Sequence, residues 1–210
     1  VHPGQIAIDM STVHPETSRC EAAMYRQHQV RFLDAPVFGS RSEALRGALW
    51  IWVGGNEETF EAAKPVLESM AQTVHYMGTV GKGSAMKLVG SLIEAVELEA
   101  IGEALVLATK AGLDATQVLD VLRDTDFSSR ILEKAATSLI RRDFSTHFAL
   151  KHMLKDANLI SRLADDLNSP VPASEVVKET IKTAMNQGWG EQNSYALIKG
   201  LELEAGVVVQ

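Results

Sequence analysis

A glycine pair that opens a long proline-free run constrains this chain more than any other feature. Gly81-Lys82-Gly83 is followed by about 28 residues, Ser84 to Ala111, without a proline. Glycine lacks a Cβ, so the pair permits a tight or left-handed entry into that run. Leu88, Val89, Leu92, Ile93, Val96, Ile101, Leu105 and Ala108 recur at three- and four-residue steps, the spacing of one helix face. Leu98, Val106 and Leu107 fall off that stripe. The run therefore predicts one long helix that is apolar on more than one side and packs against two bodies. Lys87 is the only lysine between Lys82 and Lys110. Ser91 lies one turn beyond it and Glu94 one turn further, on the same side. An amine held against an apolar helix at the mouth of a glycine turn is suited to proton transfer. The plainer alternative is a solvated lysine on the helix shoulder.

The totals bound what surrounds this helix. There are 210 residues, with 20 basic and 27 acidic side chains for a formal charge of −7. That length suits one large domain or two small ones. Apolar content of 46% and charged content of 22% are those of a water-soluble globular chain. No basic excess points to nucleic acid. No stretch reaches the roughly 18 to 20 apolar residues that cross a bilayer. No secretory signal is visible. The single cysteine, Cys20, rules out an intrachain disulfide framework. It fits a reducing, cytoplasmic setting and is expected on a helix as a small apolar residue. The six histidines show no metal-ligand spacing, so no metal is expected.

In chain order, Gln5–Met10 reads as a buried strand that ends at Ser11-Thr12. Ser11, Thr12 or His14 can cap a helix that has Pro15 at its first position and runs to about His28. Val30–Leu33 is a second strand, stopped by Asp34-Ala35-Pro36, and Val37–Ser42 reads as a loop. Glu43–Arg46 is one helical turn, and Ala48–Val53 is a third strand closed by Gly54-Gly55. Trp50 and Trp52 alternate on it, one expected toward the core and one toward solvent or a partner. Asn56 caps a helix to about Met70, and Val74–Met77 is a fourth strand. Strand and helix alternate, the signature of an α/β layer with a largely parallel sheet. It lacks a Gly-x-Gly-x-x-Gly turn and looks too small for a complete doubly wound domain. Beyond Gly81 only helices are predicted, with a stiff break at Pro170-Val171-Pro172.

Four motifs in this order resemble the β-hydroxyacid dehydrogenase family, which includes 3-hydroxyisobutyrate dehydrogenase and the glyoxylate/succinic semialdehyde reductases. Asp9-Met10-Ser11-Thr12-Val13-His14-Pro15 is like the family's D-x-S-T-x-x-P. Asp34-Ala35-Pro36-Val37-Phe38-Gly39-Ser40 is like D-A-P-V-S-G-G. Gly81-Lys82-Gly83 with Lys87 is like G-x-G-x-x-x-K, and Lys155-Asp156-Ala157-Asn158-Leu159 is like K-D-x-x-L. The resemblance covers the whole chain but only the later part of the family's length. It implies an α/β remnant over residues 1–80, part of a Rossmann-type NAD(P)-binding domain. Residues 81–210 would be an all-helical domain like the C-terminal one of 6-phosphogluconate dehydrogenase.

The resemblance further implies hydride transfer between NAD or NADP and a small β-hydroxy acid or aldehyde, by a homodimer or larger homo-oligomer. Lys87 takes the role of general acid/base; Ser11 and Thr12 lie against the nicotinamide, and Lys155 and Asp156 close over the cofactor. Phe38, Gly39 and Ser40 hold the substrate carboxylate, with Ser91 near them. Without the glycine-rich phosphate loop, the 210 residues alone are expected to bind cofactor poorly and to be inactive. This chain departs from the pattern at three positions. Phe38 stands where the family has a serine, Ser40 where it has a second glycine, and Ser91 where it has an amide. Ser40 or Arg41 is the expected replacement for the lost hydroxyl, Arg41 through a bidentate grip. A non-catalytic oligomerisation module is the rival from another class, favoured by the apolar helix and disfavoured by the retained Lys87.

Overall fold

The computed structural model describes residues 1–209, which divide into two compact units. The first is Val1–Ser91 together with Arg162–Ser169; the second is Leu92–Ser161 together with the chain from Pro170 onward.

The first unit is a five-stranded sheet with helices. Its elements are β1 (Ile6–Asp9), α1 (Pro15–Gln27), β2 (Arg31–Asp34), β3 (Val37–Phe38), α2 (Arg41–Leu45), β4 (Leu49–Gly55), α3 (Glu57–Glu68) and β5 (Ala71–Gly78). The strands run in the order β1-β2-β4-β3, with β5 also paired to β4. The pairs β1·β2 and β4·β5 are parallel, as helical crossovers through α1 and α3 require. The pairs β2·β4 and β3·β4 are antiparallel. The sheet is therefore mixed, not largely parallel. The connection from β2 to β4 is spent on a two-residue strand and the five-residue α2, and builds no crossover helix of the usual length. The expected loop at Val37-Phe38 is that short strand. Its core is Leu33, Ile51, Val53, Phe60 and Leu67.

Trp50 and Trp52 are two residues apart on β4, so a strand's period of two sends them to the same face. One-in, one-out was the wrong expectation, and both rings are half-buried beside Phe38. Cys20 is on α1 as expected, but exposed and not part of the core.

The second unit is helical. Its elements include α5 (Ala115–Arg123), α6 (Arg130–Arg141), α8 (Pro172–Asn186), a 3₁₀ turn at Ser194–Leu197 and α9 (Ile198–Ala205). Leu105, Leu119, Leu132, Leu150, Ile181 and Ile198 are at the centre of its core. Two helices are continuous through the chain positions where the units divide: α4 (Lys82–Lys110) and α7 (Leu150–Leu167).

Burial on α4 differs from the sequence pattern. Leu88, Ser91, Ala95, Leu98, Gly102 and Leu105 are buried at alternating three- and four-residue steps. Val89 and Ile93, assigned to the stripe, are at least half exposed, as is Leu107. The buried face carries glycine, alanine and serine because neighbours come close. A Cβ on Gly102 would lie 2.9 Å from Leu201 Cδ1. Hydrophobicity alone points elsewhere when small residues form the contact.

Candidate active site in the first unit

At the carboxyl end of β1, Asp9 organises the turn: Ser11 donates to Asp9 Oδ1 from both its N–H (3.1 Å) and its Oγ–H (2.6 Å). Of the three capping candidates, His14 caps α1, its Nδ1 accepting the Glu16 N–H at 3.3 Å. Thr12 is half-buried beside them in sequence, and Ser11 is exposed. These residues follow a strand end in a parallel pair, where open α/β sheets bind their ligands.

The start of α4 is fixed by a residue that its sequence context marks only as a strand terminator. Asp34, at the end of β2, accepts the N–H of Gly81 and the N–H of Ser84, each at 2.8 Å. A carboxylate accepting first-turn amides satisfies their unmade hydrogen bonds and the positive end of the helix dipole. Burial pushes the Asp34 carboxyl up, and the bonds from Gly81 and Ser84 hold it back. The approach is close. A Cβ on Gly83 would lie 2.5 Å from the Trp52 carbonyl and 2.6 Å from that of Asp34. Gly81 has φ +89°, the left-handed region that glycine accepts without strain. Ser84 Oγ and Ser18 Oγ are 2.8 Å apart, which ties α1 to the same turn.

Lys87 follows one turn on and is 9% exposed. Its Nζ stands 5.1 Å from the centroid of the Phe38 ring. An ammonium over a ring face is attracted by the π quadrupole. Phe38 lies opposite Trp50 across the β3·β4 ladder, with ring centroids 6.0 Å apart, and 6.1 Å from Trp52. Trp52 reaches to 3.4 Å from where a Gly90 Cβ would be, on α4 between Lys87 and the buried Ser91.

The loop assigned to the substrate carboxylate is arranged differently from the family pattern. Ser40 donates its N–H (2.8 Å) and its Oγ–H (2.6 Å) to Glu43 Oε2, and Ser42 Oγ donates to the same oxygen at 2.9 Å. Glu43 is buried, whereas Arg41 is exposed. Gly39 has φ +121°, and its Cβ position is 3.0 Å from Glu43 Cβ. The structure thus brings Lys87, Ser91, Phe38, Gly39 and Ser40 into the first unit with Ser11 and Thr12. Lys155 and Asp156 belong to the second unit, where Lys155 Nζ is 3.0 Å from Asp156 Oδ1.

Two participants escape sequence reasoning, and a third was visible in it but not used. Asp34 meets residues 47 and 50 positions away, which no local spacing reveals. Trp52 is hidden by the incorrect alternation. Glu43 was visible, since Ser40-x-x-Glu43 has the spacing of a capping box.

At the carboxyl end of this parallel strand Ser11 and Thr12 are the residues that could meet a cofactor, with the N–H and hydroxyl of Ser11 both given to Asp9. The phosphate end has no Gly-x-Gly-x-x-Gly turn in this chain to receive it. Among the described residues, no three His, Cys, Asp or Glu side chains gather as metal ligands. No described helix is long and apolar enough to cross a membrane.

Residues 81–201 match the family model for the NAD-binding domain of NADP-dependent 3-hydroxyisobutyrate dehydrogenase. Residues 1–78 match that for the NAD binding domain of 6-phosphogluconate dehydrogenase. The chain is 34% identical over 202 residues to 2-hydroxy-3-oxopropionate reductase of Escherichia coli (strain K12), covering 96% of this chain and 69% of that protein. It is 34% identical over 194 residues to the cytokine-like nuclear factor N-PAC of Anopheles gambiae, covering 92% of this chain. The chain spans about a third of that relative's length, 34%. The crystal structure of 3-hydroxyisobutyrate dehydrogenase from Salmonella typhimurium superposes with a TM-score of 0.89 at 28% identity, over 95% of this chain and 70% of that one.

Proposed function

The chain belongs to the 3-hydroxyisobutyrate dehydrogenase family of NAD(P)-binding hydroxyacid dehydrogenases, and from that premise we propose that it carries the proton-transfer centre of an oxidoreductase, with Lys87 as the general acid/base. The substrate is a small hydroxy acid or the corresponding carbonyl compound, glyoxylate and succinic semialdehyde included. NAD or NADP, when bound, supplies or accepts the hydride. In this reading Ser11 and Thr12 line the nicotinamide side, and Lys155 and Asp156 are further cofactor-binding residues. In reduction the Lys87 ammonium gives a proton to the substrate oxygen; in oxidation its amine takes that proton back. The positive charge also lowers the energy of the oxygen as negative charge gathers on it. Ser91, one turn away, adds a hydroxyl on the same helix side.

One observation carries the reading. Lys87 is buried one turn into a helix whose start is bound by Asp34 to the carboxyl end of β2. A solvated surface lysine needs no such support. Replacing Lys87 with Ala in a full-length parent that carries the glycine-rich phosphate loop is expected to lower kcat by about 10²- to 10⁴-fold, the usual worth of a placed acid/base. Cofactor affinity, followed by NADPH fluorescence, should stay nearly unchanged. Turnover equal to wild type would remove Lys87 from the mechanism.

Assembly as a homodimer or larger oligomer in the cytoplasm is part of the proposal. Val89, Ile93 and Leu107 leave apolar side chains of α4 at least half exposed, which suits a partner surface. The same exposure favours the second reading, a non-catalytic assembly module. A well-formed oligomer without turnover on any carbonyl substrate would support that one.

A further inference from the structure

The first unit holds a cavity that the Lys87 centre does not use. We propose that this cavity is a second binding site, that it takes a small organic monoanion with an apolar body, a ring-bearing or branched carboxylate, and that Arg26 and Arg31 hold the carboxylate.

The cavity has a volume of about 370 Å³. That lies in the range of small-molecule sites, roughly 300 to 1,000 Å³. Its apolar lining is Ala22 of α1, Val30 and Phe32 along β2, and Val80. Phe32 is buried and stacked on Tyr25, with ring centroids 5.6 Å apart, so its ring is held in place. Arg26 and Arg31 line the same cavity. Both are exposed, and neither forms an ion pair among the described residues. Arg31 makes one long hydrogen bond, to the Gly4 carbonyl at 3.4 Å. Two guanidiniums with donors to spare on one concave surface suit a carboxylate, which accepts paired N–H bonds from their forks. Asn56 adds a neutral donor. Its Oδ1 accepts the Thr59 N–H at 3.1 Å and the Thr59 hydroxyl at 3.4 Å, which leaves its amide hydrogens for a ligand. Glu58 sets the limit on charge, since it lines the cavity and forms no ion pair among the described residues. Its carboxylate repels a second negative charge, so one ligand carboxylate is favoured and two are not.

The cavity is separate from the reaction centre in its residues and adjacent to it in the chain. Ser11, Thr12, Phe38, Ser40 and Lys87 are not in its lining. Phe32 is two residues before Asp34 on β2, and Val80 precedes Gly81, whose N–H goes to Asp34. The proposal therefore does not rest on the reading of Lys87.

Titration calorimetry of the 210-residue chain with benzoate, at low ionic strength and without cofactor, reads the site directly. A dissociation constant of about 1 mM or tighter is expected, with benzyl alcohol weaker by about tenfold or more for want of the charge. Phthalate, with two carboxylates, should bind about fivefold or more weakly than benzoate. Arg26→Gln and Arg31→Gln, both at exposed positions that leave the fold intact, should each weaken benzoate by about fivefold or more. Ala22→Leu should weaken it while both guanidiniums remain, because the added side chain fills the apolar lining. Lys87→Ala should bind benzoate as the wild type does. Absence of benzoate binding at millimolar concentration overturns the proposal. Binding that both arginine variants leave unchanged overturns it too, and loss in Lys87→Ala alone would move the anion to the reaction centre. Phthalate that binds as tightly as benzoate overturns the assignment of a monoanion.

Discussion

Each unit buries a carboxylate at α4, one that caps the helix and one that the helix carries, and the two are treated differently. Asp34 in the first unit is 1% exposed and accepts two backbone N–H groups from the first turn of α4. Glu99 in the second unit is 5% exposed and accepts the Thr180 hydroxyl at 2.5 Å. Its other oxygen, Oε2, is buried and has no hydrogen-bond partner among the described residues. Burial raises both carboxyls. For Asp34 the amides counter the rise; for Glu99, Glu103 and Glu204 add to it, and it reaches about 7. The difference lies in the number and kind of donors, not in depth. The first turn of the helix that bears Lys87 is built to hold a carboxylate in place, and the helical unit raises a carboxyl until it titrates near neutral pH.

The contrast breaks most visibly at Asp34. Asp34→Ala leaves two buried amides unmade at the first turn of α4, at about 2 kcal/mol each, so about 4 kcal/mol in all. The urea midpoint should fall accordingly, and turnover should fall further than stability explains, because Lys87 loses its fixed base. A midpoint within about 1 kcal/mol of wild type would mean that Gly83 packing alone sets the helix. At Glu99 the effect depends on pH. Its folded pKa of about 7 lies above the reference value of 4.5. The folded state therefore binds the extra proton between those values. Its stability is greatest below about 4.5 and declines as pH rises through about 7, by on the order of 3 kcal/mol. Glu99→Gln should remove that decline, so that the variant gains on wild type from pH 5 to pH 8. A difference between the two proteins that stays constant with pH would show that Glu99 is paired in the fold.

Element order and most boundaries were legible from the sequence, because apolar period, caps and glycine stops are local signals. Asn56, Asp114 and Ser129 cap the helices they precede. Lys87 was legible because it stands alone in an apolar run behind two glycines. The sense of β4 was not, since strand direction depends on what the connection from β2 builds, and β3 is only two residues long. Nor was the buried face of α4, which is made of Ser91, Ala95 and Gly102 as much as of leucines. The partners within the substrate loop were not legible either, because a family pattern names which residues are present and not which partners they have taken. Ser40 is where a hydroxyl was expected, and it is engaged by Glu43.

His14 sharpens the comparison with the smallest effect and the opposite sign. It is a buried base in the first unit, 2% exposed, and its Nδ1 accepts the Glu16 N–H. Its Nε2 faces Asp166 at 3.4 Å, a neighbour that favours the imidazolium. Burial, followed by the charge of Arg162, outweighs that neighbour and lowers the His14 pKa below 6.5. The cap agrees, since only an unprotonated Nδ1 can accept. A depressed folded pKa means that His14 contributes its stability fully above 6.5, and the contribution fades as pH falls below that value. Glu99 loses its contribution in the other direction over an overlapping range, so the two are told apart only by comparing each variant with the wild type. His14→Ala removes the cap for about 1 kcal/mol at pH 8. His14→Asn keeps an acceptor at that position and should cost less, and its urea midpoint should gain on that of the wild type from pH 7 to pH 5. A variant with the wild-type slope over that range would assign the acid-side loss to another group and leave the histidine a cap alone.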